Sequence, residues 1–472
     1  MEEVYQRLNM NKYRTEKDSL GEVKIEKDAL YGIHSIRASQ NFPLTKRGMD
    51  PSFIRNLARV KKAAALVNER TGDLDQRKAE AIIEACDEVI EGKHLDSFIV
   101  DLIQGGAGTS ANMNCNEVIA NLAIEKLGGQ PGDYTLVHPI DDVNRHQSTN
   151  DVIPSAAKIT VIEKTKVLLD TLTYLSDALH EKAKEYKDVD RIGRTQLQDA
   201  VPMKVSQEFE AYRSMINRNI RKIEASLSSM HEVNLGGTAI GSGINTTKEY
   251  LKQIVPALAE VSGYDLKQAE DLFDSTQNTD DFASISSQIK VCSLQLSKMA
   301  NDFRLLSAGP NGGFRELDLP DKQSGSSIMP GKINPVIPEA LNQAAFLVVG
   351  NDLTVTLACE AGQFELNAFL PVLLFQLFES IDVLNNAVRT FTDNCLKDAR
   401  VIIHNTQKHL RRCLSVATVL NPIIGYDNAT ALVKEAMATR GSVLEMAEER
   451  YGIKREELEP YLNPVYELNK KK

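Results

Sequence analysis

Between about Ile153 and Arg400 apolar residues recur three and four positions apart over long stretches, and that period leaves few folds open. One stripe runs Leu168, Leu172, Leu175, Leu179, Tyr186; a second runs Phe209, Tyr212, Ile216, Ile220, Ile223, Leu227, Met230; a third runs Ile285, Ile289, Cys292, Leu296, Met299, Phe303, Leu306. Such spacing puts the side chains on one face of an α-helix. Each stripe predicts a rod of roughly 30 Å or more at 1.5 Å per residue, the first with start signals at Asp151 and Pro154. Rods with one apolar face bury it against one another, so a long antiparallel helix bundle is expected. Two further rods, around Ala344–Val349 and Val372–Phe378, are apolar on more than one side. A helix apolar all round must be covered all round, which predicts association of chains through the bundle.

At 472 residues the chain exceeds what one hydrophobic core serves, so two or three domains are expected. The bundle over 151–400 separates a mixed, mostly helical segment, 1–150, from a small helical appendix, 401–472. Within the first, Val23-Lys24-Ile25-Glu26 reads as extended and able to pair as a hairpin. The fold class is therefore mainly α.

Several function classes are disfavoured. The net charge is −10 and the one dense basic run is Lys470-Lys471-Lys472, so nucleic acid is not an expected partner. No apolar run reaches the ~20 residues of a membrane helix, and Met1-Glu2-Glu3-Val4-Tyr5 is acidic where a secretory leader is basic and then apolar. Cysteines 86, 115, 292, 359, 395 and 413 are scattered, with no Cys-x-x-Cys pair, so neither a disulfide framework nor a zinc site is expected. A protein of the reducing cytoplasm fits.

Chemistry concentrates in Gly325-Ser326-Ser327-Ile328-Met329-Pro330-Gly331-Lys332-Ile333-Asn334-Pro335. Glycines let a backbone approach and move over a ligand. Two hydroxyls, a point charge at Lys332 and a directional amide at Asn334 suit a dicarboxylate. A solvated Gly/Ser linker is the bland alternative, but the Ile-Met-Pro core and the apolar Val336-Ile337-Pro338 that follows point to a loop closing onto a helix.

Three other blocks carry polar side chains at predicted element ends. Gly105–Glu117 places Thr109 and Ser110 after a glycine-rich turn at a helix start, an anion site by construction and equally a helix cap. His138–Asp151 places Ser148, Thr149 and Asn150 at the head of the first rod, where an Asx or Ser/Thr cap is again the plain alternative. Gly193–Ala200, with Thr195 and Gln196, forms a polar knot between the first and second rods.

Taken together and in order, these blocks resemble the aspartase/fumarase superfamily over nearly the whole chain, with 325–335 matching its signature loop. The resemblance implies a three-domain fold whose long bundle tetramerises, and anti-elimination of ammonia or water from a dicarboxylate to release fumarate. It implies a composite active site built from three neighbouring chains, with the Ser-Ser loop as a lid and neither cofactor nor metal. Thr109, Ser148, Thr149, Thr195 and Ser327 would then hold substrate carboxylates, and Asn150 would contact the amino group. Lys332 and Asn334 would bind the carboxylate remote from the departing group, and Ser326 would be the base.

Gly106-Ala107-Gly108-Thr109-Ser110, Gln277-Asn278-Thr279-Asp280 and Val336-Ile337-Pro338-Glu339 resemble the aspartase branch. Gln196 stands where fumarases carry histidine. Glutamine cannot take a proton from water at neutral pH, whereas ammonia is already a nucleophile and needs only orientation, so C–N chemistry on aspartate is favoured. Fumarate hydration and C–N cleavage of a substituted aspartate are the enzymatic alternatives, and a non-catalytic lens-type relative the structural one. Ile140 and Leu370 depart from the family pattern, in which an asparagine and a charged residue are expected.

Overall fold

The stripe from Leu168 to Tyr186 forms the spine of the longest helix in the computed structural model, which describes residues 12–454 and 457. Met1–Tyr5 and Lys470–Lys472 lie outside the described residues. In chain order a hairpin of β1 (Tyr13–Asp18) and β2 (Gly21–Glu26) comes first, antiparallel with Asp18 opposite Gly21, as the Val23–Glu26 alternation predicts. Helices α1 (Ile33–Asn41), α2 (Pro51–Thr71), α3 (Gln76–Ile90) and α4 (Thr109–Lys126) follow. Local sequence sets their ends. Asp50 caps α2 by accepting from Ser52 and Phe53 N–H ahead of Pro51, and Gly72 closes it in the left-handed region at φ 78°.

The predicted rods are α5 (Thr149–Glu185), α6 (Val205–Leu227), α9 (Asp280–Ser307), α10 (Val336–Glu360) and α11 (Leu370–Phe391); α7 (Lys248–Ser262) and α8 (Leu272–Gln277) lie between the second and third. The 37 residues of α5 make it about 55 Å long at 1.5 Å per residue. Leu168, Leu172, Leu175 and Leu179 are fully buried, as are Ile285, Ile289, Cys292, Leu296 and Met299. Ile220 and Leu306, at stripe edges, are half-buried.

The chain divides into two compact units, and the boundaries fall inside these five long helices. The first takes 1–168, 221–291 and 347–383; the second takes 169–220, 292–346 and 384–472. In the first, Lys164 bridges Asp50 at 2.9 Å and Asp382 at 2.6 Å, and Asp352 accepts from Ser286 at 2.8 Å. In the second, Phe303 stacks with Phe209, Tyr212 and Phe391, Tyr212 donates to Asp302 at 2.7 Å, and Thr171 donates to Asn385 at 2.7 Å. The second unit also holds α12 (Ile403–Arg412), α13 (Ala417–Ile424), α14 (Tyr426–Thr439) and α15 (Val443–Tyr451), the last three sharing a small core around Leu420, Leu432 and Val443.

Two expectations need correction. The run of rods between 153 and 400 is not joined by plain loops alone: the polar knot between the first two belongs to a hairpin, 190–204, of β3 (Asp190–Thr195) and β4 (Gln198–Lys204). The fifth rod does not need another chain for its cover. Leu373, Leu374, Leu377 and Phe378 are buried within this one, Phe378 packing 5.7 Å from Phe53 and Arg47 lying over the Phe375 ring. On the fourth rod, Phe346, Leu347, Val349, Leu353 and Leu357 remain exposed along α10. No described helix is long and apolar enough to cross a membrane.

Candidate active site

In the first unit the anion block becomes a tight turn. Gly106, Ala107 and Gly108 all have positive φ (89°, 56° and 95°), and the third must be glycine, because a β-carbon there would stand 2.9 Å from Ile153 in the first turns of α5. That close approach sets the start of α4 beside the start of α5, so the positive ends of two helix dipoles lie together. Thr109 opens α4, exposed, its hydroxyl donating to Gly106 O at 2.7 Å. One turn on, Asn112 Nδ2 donates to Thr149 Oγ1 at 3.2 Å. Thr109, Ser148, Thr149 and Asn150 are therefore gathered by one pair of helix ends.

The α5 start is pinned from behind by Asp151, fully buried, which accepts from the N–H groups of Ser148 (2.9 Å), Gly236 (3.0 Å) and Thr238 (3.0 Å). Burial pushes its carboxyl up to about 6, against the pull of those donors and of the Lys61 charge. Pro154 lacks the N–H that would bond Asn150 O four residues back; Asn234 Nδ2 supplies it instead, at 3.0 Å. Asn150 Nδ2 donates to Ala239 O at 2.7 Å, and Ser148 Oγ accepts from Asn150 N–H at 3.3 Å. The glycine-rich 234–239 stretch thus serves as the seat of Asn150.

In the second unit Thr195 and Gln196 lie at the tip of the β3–β4 hairpin, both exposed. Thr195 pairs with Gln198, so Gln196 (φ 53°) and Leu197 (φ 62°) form a two-residue turn in the left-handed region. That turn type favours Asn-Gly. A glutamine and a leucine held there are backbone strain of the kind that clusters at functional sites. The hairpin is anchored at Arg194, which binds the buried Glu316 through both terminal nitrogens (2.5 and 3.1 Å), and His409 Nδ1 reaches the same carboxylate at 2.6 Å. Burial raises the Glu316 pKa, but the Arg194 hydrogen bond and the Arg191 charge outweigh it and hold the carboxyl below its usual range. Ile192 packs with Leu410, Cys413 and Val416, and Ser415 Oγ donates to Asp199 O at 3.2 Å, which ties the hairpin to α12 and the turn after it.

The same unit carries the Ser-Ser loop. Its neck is closed by Gly325 N–H on Lys332 O at 3.0 Å and by Asn334 Nδ2 on Gly325 O at 2.6 Å. Gly325 is required there, because a β-carbon would collide with the Lys332 carbonyl. Ser326 Oγ accepts from the N–H groups of Ile328 (3.2 Å) and Met329 (2.9 Å). Ser327, Ile328, Met329 and Lys332 are exposed, and an open cavity of about 1140 Å³ beside the loop is lined by Arg304, Arg315, Lys332 and Asn334. Among the described residues no hydrogen bond joins the loop to Thr195 or Gln196. Of the two departures from the family pattern, Ile140 is half-exposed and Leu370 buried at the start of α11.

Sequence reasoning missed Asp151 as an anchor, the Arg194–Glu316–His409 clamp, and Lys61, which is wholly buried in α2. One signal was available for Lys61. The run Val60-Lys61-Lys62-Ala63-Ala64-Ala65 sets two lysines inside an apolar helix, where adjacent positions cannot both face water easily.

Residues 21–350 match a family described as lyase, and residues 416–466 match the fumarase C C-terminus. The aspartate ammonia-lyase of Bacillus subtilis (strain 168) is 48% identical over 97% of this chain and 96% of its own length. That of Escherichia coli (strain K12) is 43% identical over 93% of each. Among solved structures, a fumarate lyase:delta crystallin from Brucella melitensis bound to cobalt superposes with a TM-score of 0.92 at 43% identity, covering 96% of this chain and 99% of that one. A class II fumarase from Schistosoma mansoni does so at 0.90 and 33%, covering 96% and 98%. This backbone is thus shared with relatives named as a fumarate lyase:delta crystallin and as a fumarase, so the fold alone does not fix the reaction.

Proposed function

This chain belongs to the lyase family, and from that premise we propose that it catalyses the reversible anti-elimination of ammonia from L-aspartate to give fumarate. Ser326 takes the proton from the carbon next to the distal carboxylate, and that carboxylate becomes a dianion. The dianion collapses, the C–C double bond forms, and the C–N bond breaks with its electron pair leaving on nitrogen. An amine already protonated departs as neutral ammonia, so no general acid is required, and Gln196, which cannot titrate, need only orient it. Lys332 and Asn334 meet the charge that grows on the distal carboxylate. Thr109, Ser148, Thr149, Thr195 and Ser327 hold the carboxylates, and Asn150 faces the amine.

The observation that carries this reading is the pair of backbone N–H groups on Ser326 Oγ. A serine hydroxyl ionises too weakly to be a base by itself. Two fixed donors aimed at its oxygen, with water excluded when the loop closes, are what an alkoxide needs. Ser326→Ala should reduce kcat beyond the ~10²–10⁴-fold typical of a positioned base while the melting temperature stays put. A kcat near wild type would remove Ser326 from the chemistry.

The same reading makes the active enzyme a homotetramer with sites shared between chains. The exposed apolar stripe on α10 supports it, as does the division of the candidate residues, Thr109 and Ser148–Asn150 in one unit and Thr195, Gln196 and the lid in the other. Sedimentation should give four chains, and mixing Ser326→Ala with Thr195→Ala chains should restore activity through hybrid sites; a fully active monomer would contradict this. A cytoplasmic location agrees with six unpaired cysteines, five of them buried.

A further inference from the structure

We propose that Lys61 is a positioning residue for substrate binding: its buried ammonium fixes which way the Asn112 amide points, and so commits the Thr149 hydroxyl proton to the substrate carboxylate. The inference rests on the reading of Thr149 as a carboxylate ligand. Lys61 Nζ meets three oxygens, Asn112 Oδ1 at 2.7 Å, Asn144 Oδ1 at 2.9 Å and Gln147 Oε1 at 3.0 Å. All three are neutral amides, Asn112 from α4 and Asn144 and Gln147 from the turn before α5. An ammonium only donates, so each amide must turn its oxygen inward and its NH₂ outward.

The consequences propagate along the hydrogen bonds. Gln147 Nε2 donates to Val143 O and Arg145 O, Asn144 Nδ2 to Gln147 O, and Asn112 Nδ2 both to Asn144 Oδ1 at 3.1 Å and to Thr149 Oγ1. Thr149 Oγ1 is therefore an acceptor on its protein side. Its one proton is left to donate outward, where a carboxylate needs it. Were Asn112 reversed, its oxygen would draw that proton inward and the hydroxyl would offer a lone pair to an anion. The titratable groups nearest Lys61 are few: buried Asp151 and the thiols of Cys115 and Cys86, which burial keeps neutral. Burial pulls the ammonium down to about 8, which leaves it protonated at neutral pH. A bare cation in an apolar site is costly without a partner; three amide oxygens in place of a carboxylate satisfy it while leaving a polarised array pointing at the site.

Asn112→Asp separates this role from folding. It gives Lys61 an ionic partner in exchange for the bond from Asn112 Nδ2 to Asn144 Oδ1 (3.1 Å), so the full-length protein should fold and melt near the wild-type temperature. Yet a carboxylate has no donor for Thr149 and draws its proton away. KM for aspartate should rise about 10- to 100-fold, the size of one hydrogen bond to a charged group, with a smaller change in kcat. Lys61→Met, which removes the donor that holds the Asn112 oxygen inward, should raise KM by a similar factor; if it fails to fold, Asn112→Asp decides. Thr149→Val alone should also raise KM, and in that background neither substitution should raise it further. A wild-type KM in Asn112→Asp, or a rise of equal size with and without the Thr149 hydroxyl, would overturn the inference. An unchanged KM in Thr149→Val would overturn the assignment of Thr149 and this inference together.

Discussion

The helix starts that carry Thr109 and Ser148–Asn150 and the loop that carries Ser326 hold the same residue types, small hydroxyls and amides among glycines, in opposite physical settings. Behind the first lie Lys61 and Asp151, both wholly buried, and polar side chains are tied to neighbours from distant parts of the sequence. The second closes on itself through Gly325, Lys332 and Asn334, with Ile328 83% exposed at its tip. On the proposed function, the two settings suit two roles. Groups that bind a carboxylate work best already oriented, because orientation fixed by folding need not be supplied during reaction. A serine base must meet substrate in water and then exclude that water, so it belongs on a segment with few outside attachments.

Breaking the lid should therefore affect rate, and breaking the seat should affect binding and stability. Gly325→Ala places a methyl against the Lys332 carbonyl and opens the neck that fixes Ser326 relative to Lys332. A misplacement of about 1 Å can cost on the order of 10²-fold, so kcat should fall by roughly that factor with an unchanged melting temperature. An unchanged kcat would show that the neck does not set the base.

A smaller effect, and of the other kind, is expected from Asp151→Asn. The carboxyl titrates near 6 in the folded chain and near 3.9 when unfolded. Between those values the folded protein holds a proton that the unfolded chain has lost, so this group's contribution to stability falls as pH rises from about 4 to 6 and stays low above that. The asparagine variant lacks the titration. Acidifying from pH 7 to 4 should thus favour wild type relative to Asp151→Asn by on the order of 3 kcal/mol in thermal or denaturant melts. A gap independent of pH would mean that the carboxylate is solvated.

The same contrast explains what could be read from the sequence. The rods were legible because period 3.6 repeats over many turns and each apolar position finds the core, Leu168 to Leu179 without exception. The 325–335 loop stood out as a candidate because its polar residues are contiguous. The seat was not legible, since Lys61, Asn112 and the Asn144–Gln147 turn come from three separate segments and only folding shows that one lysine has three oxygens around it. The β3–β4 hairpin was hidden by its turn, Gln-Leu where Asn-Gly would announce one. The fifth rod looked uncovered because its cover, Phe53, lies more than 300 residues away in the chain.

The central claim, elimination of ammonia rather than water, is tested most directly with purified wild-type protein, fumarate, and the absorbance of its double bond. With ammonium present fumarate should be consumed and aspartate formed; in ammonium-free buffer the rate should be lower by about 10³, a discrimination of roughly 4 kcal/mol that a few oriented polar contacts can supply. Malate formed without ammonium at a comparable rate would contradict the account and make Gln196 part of a water site.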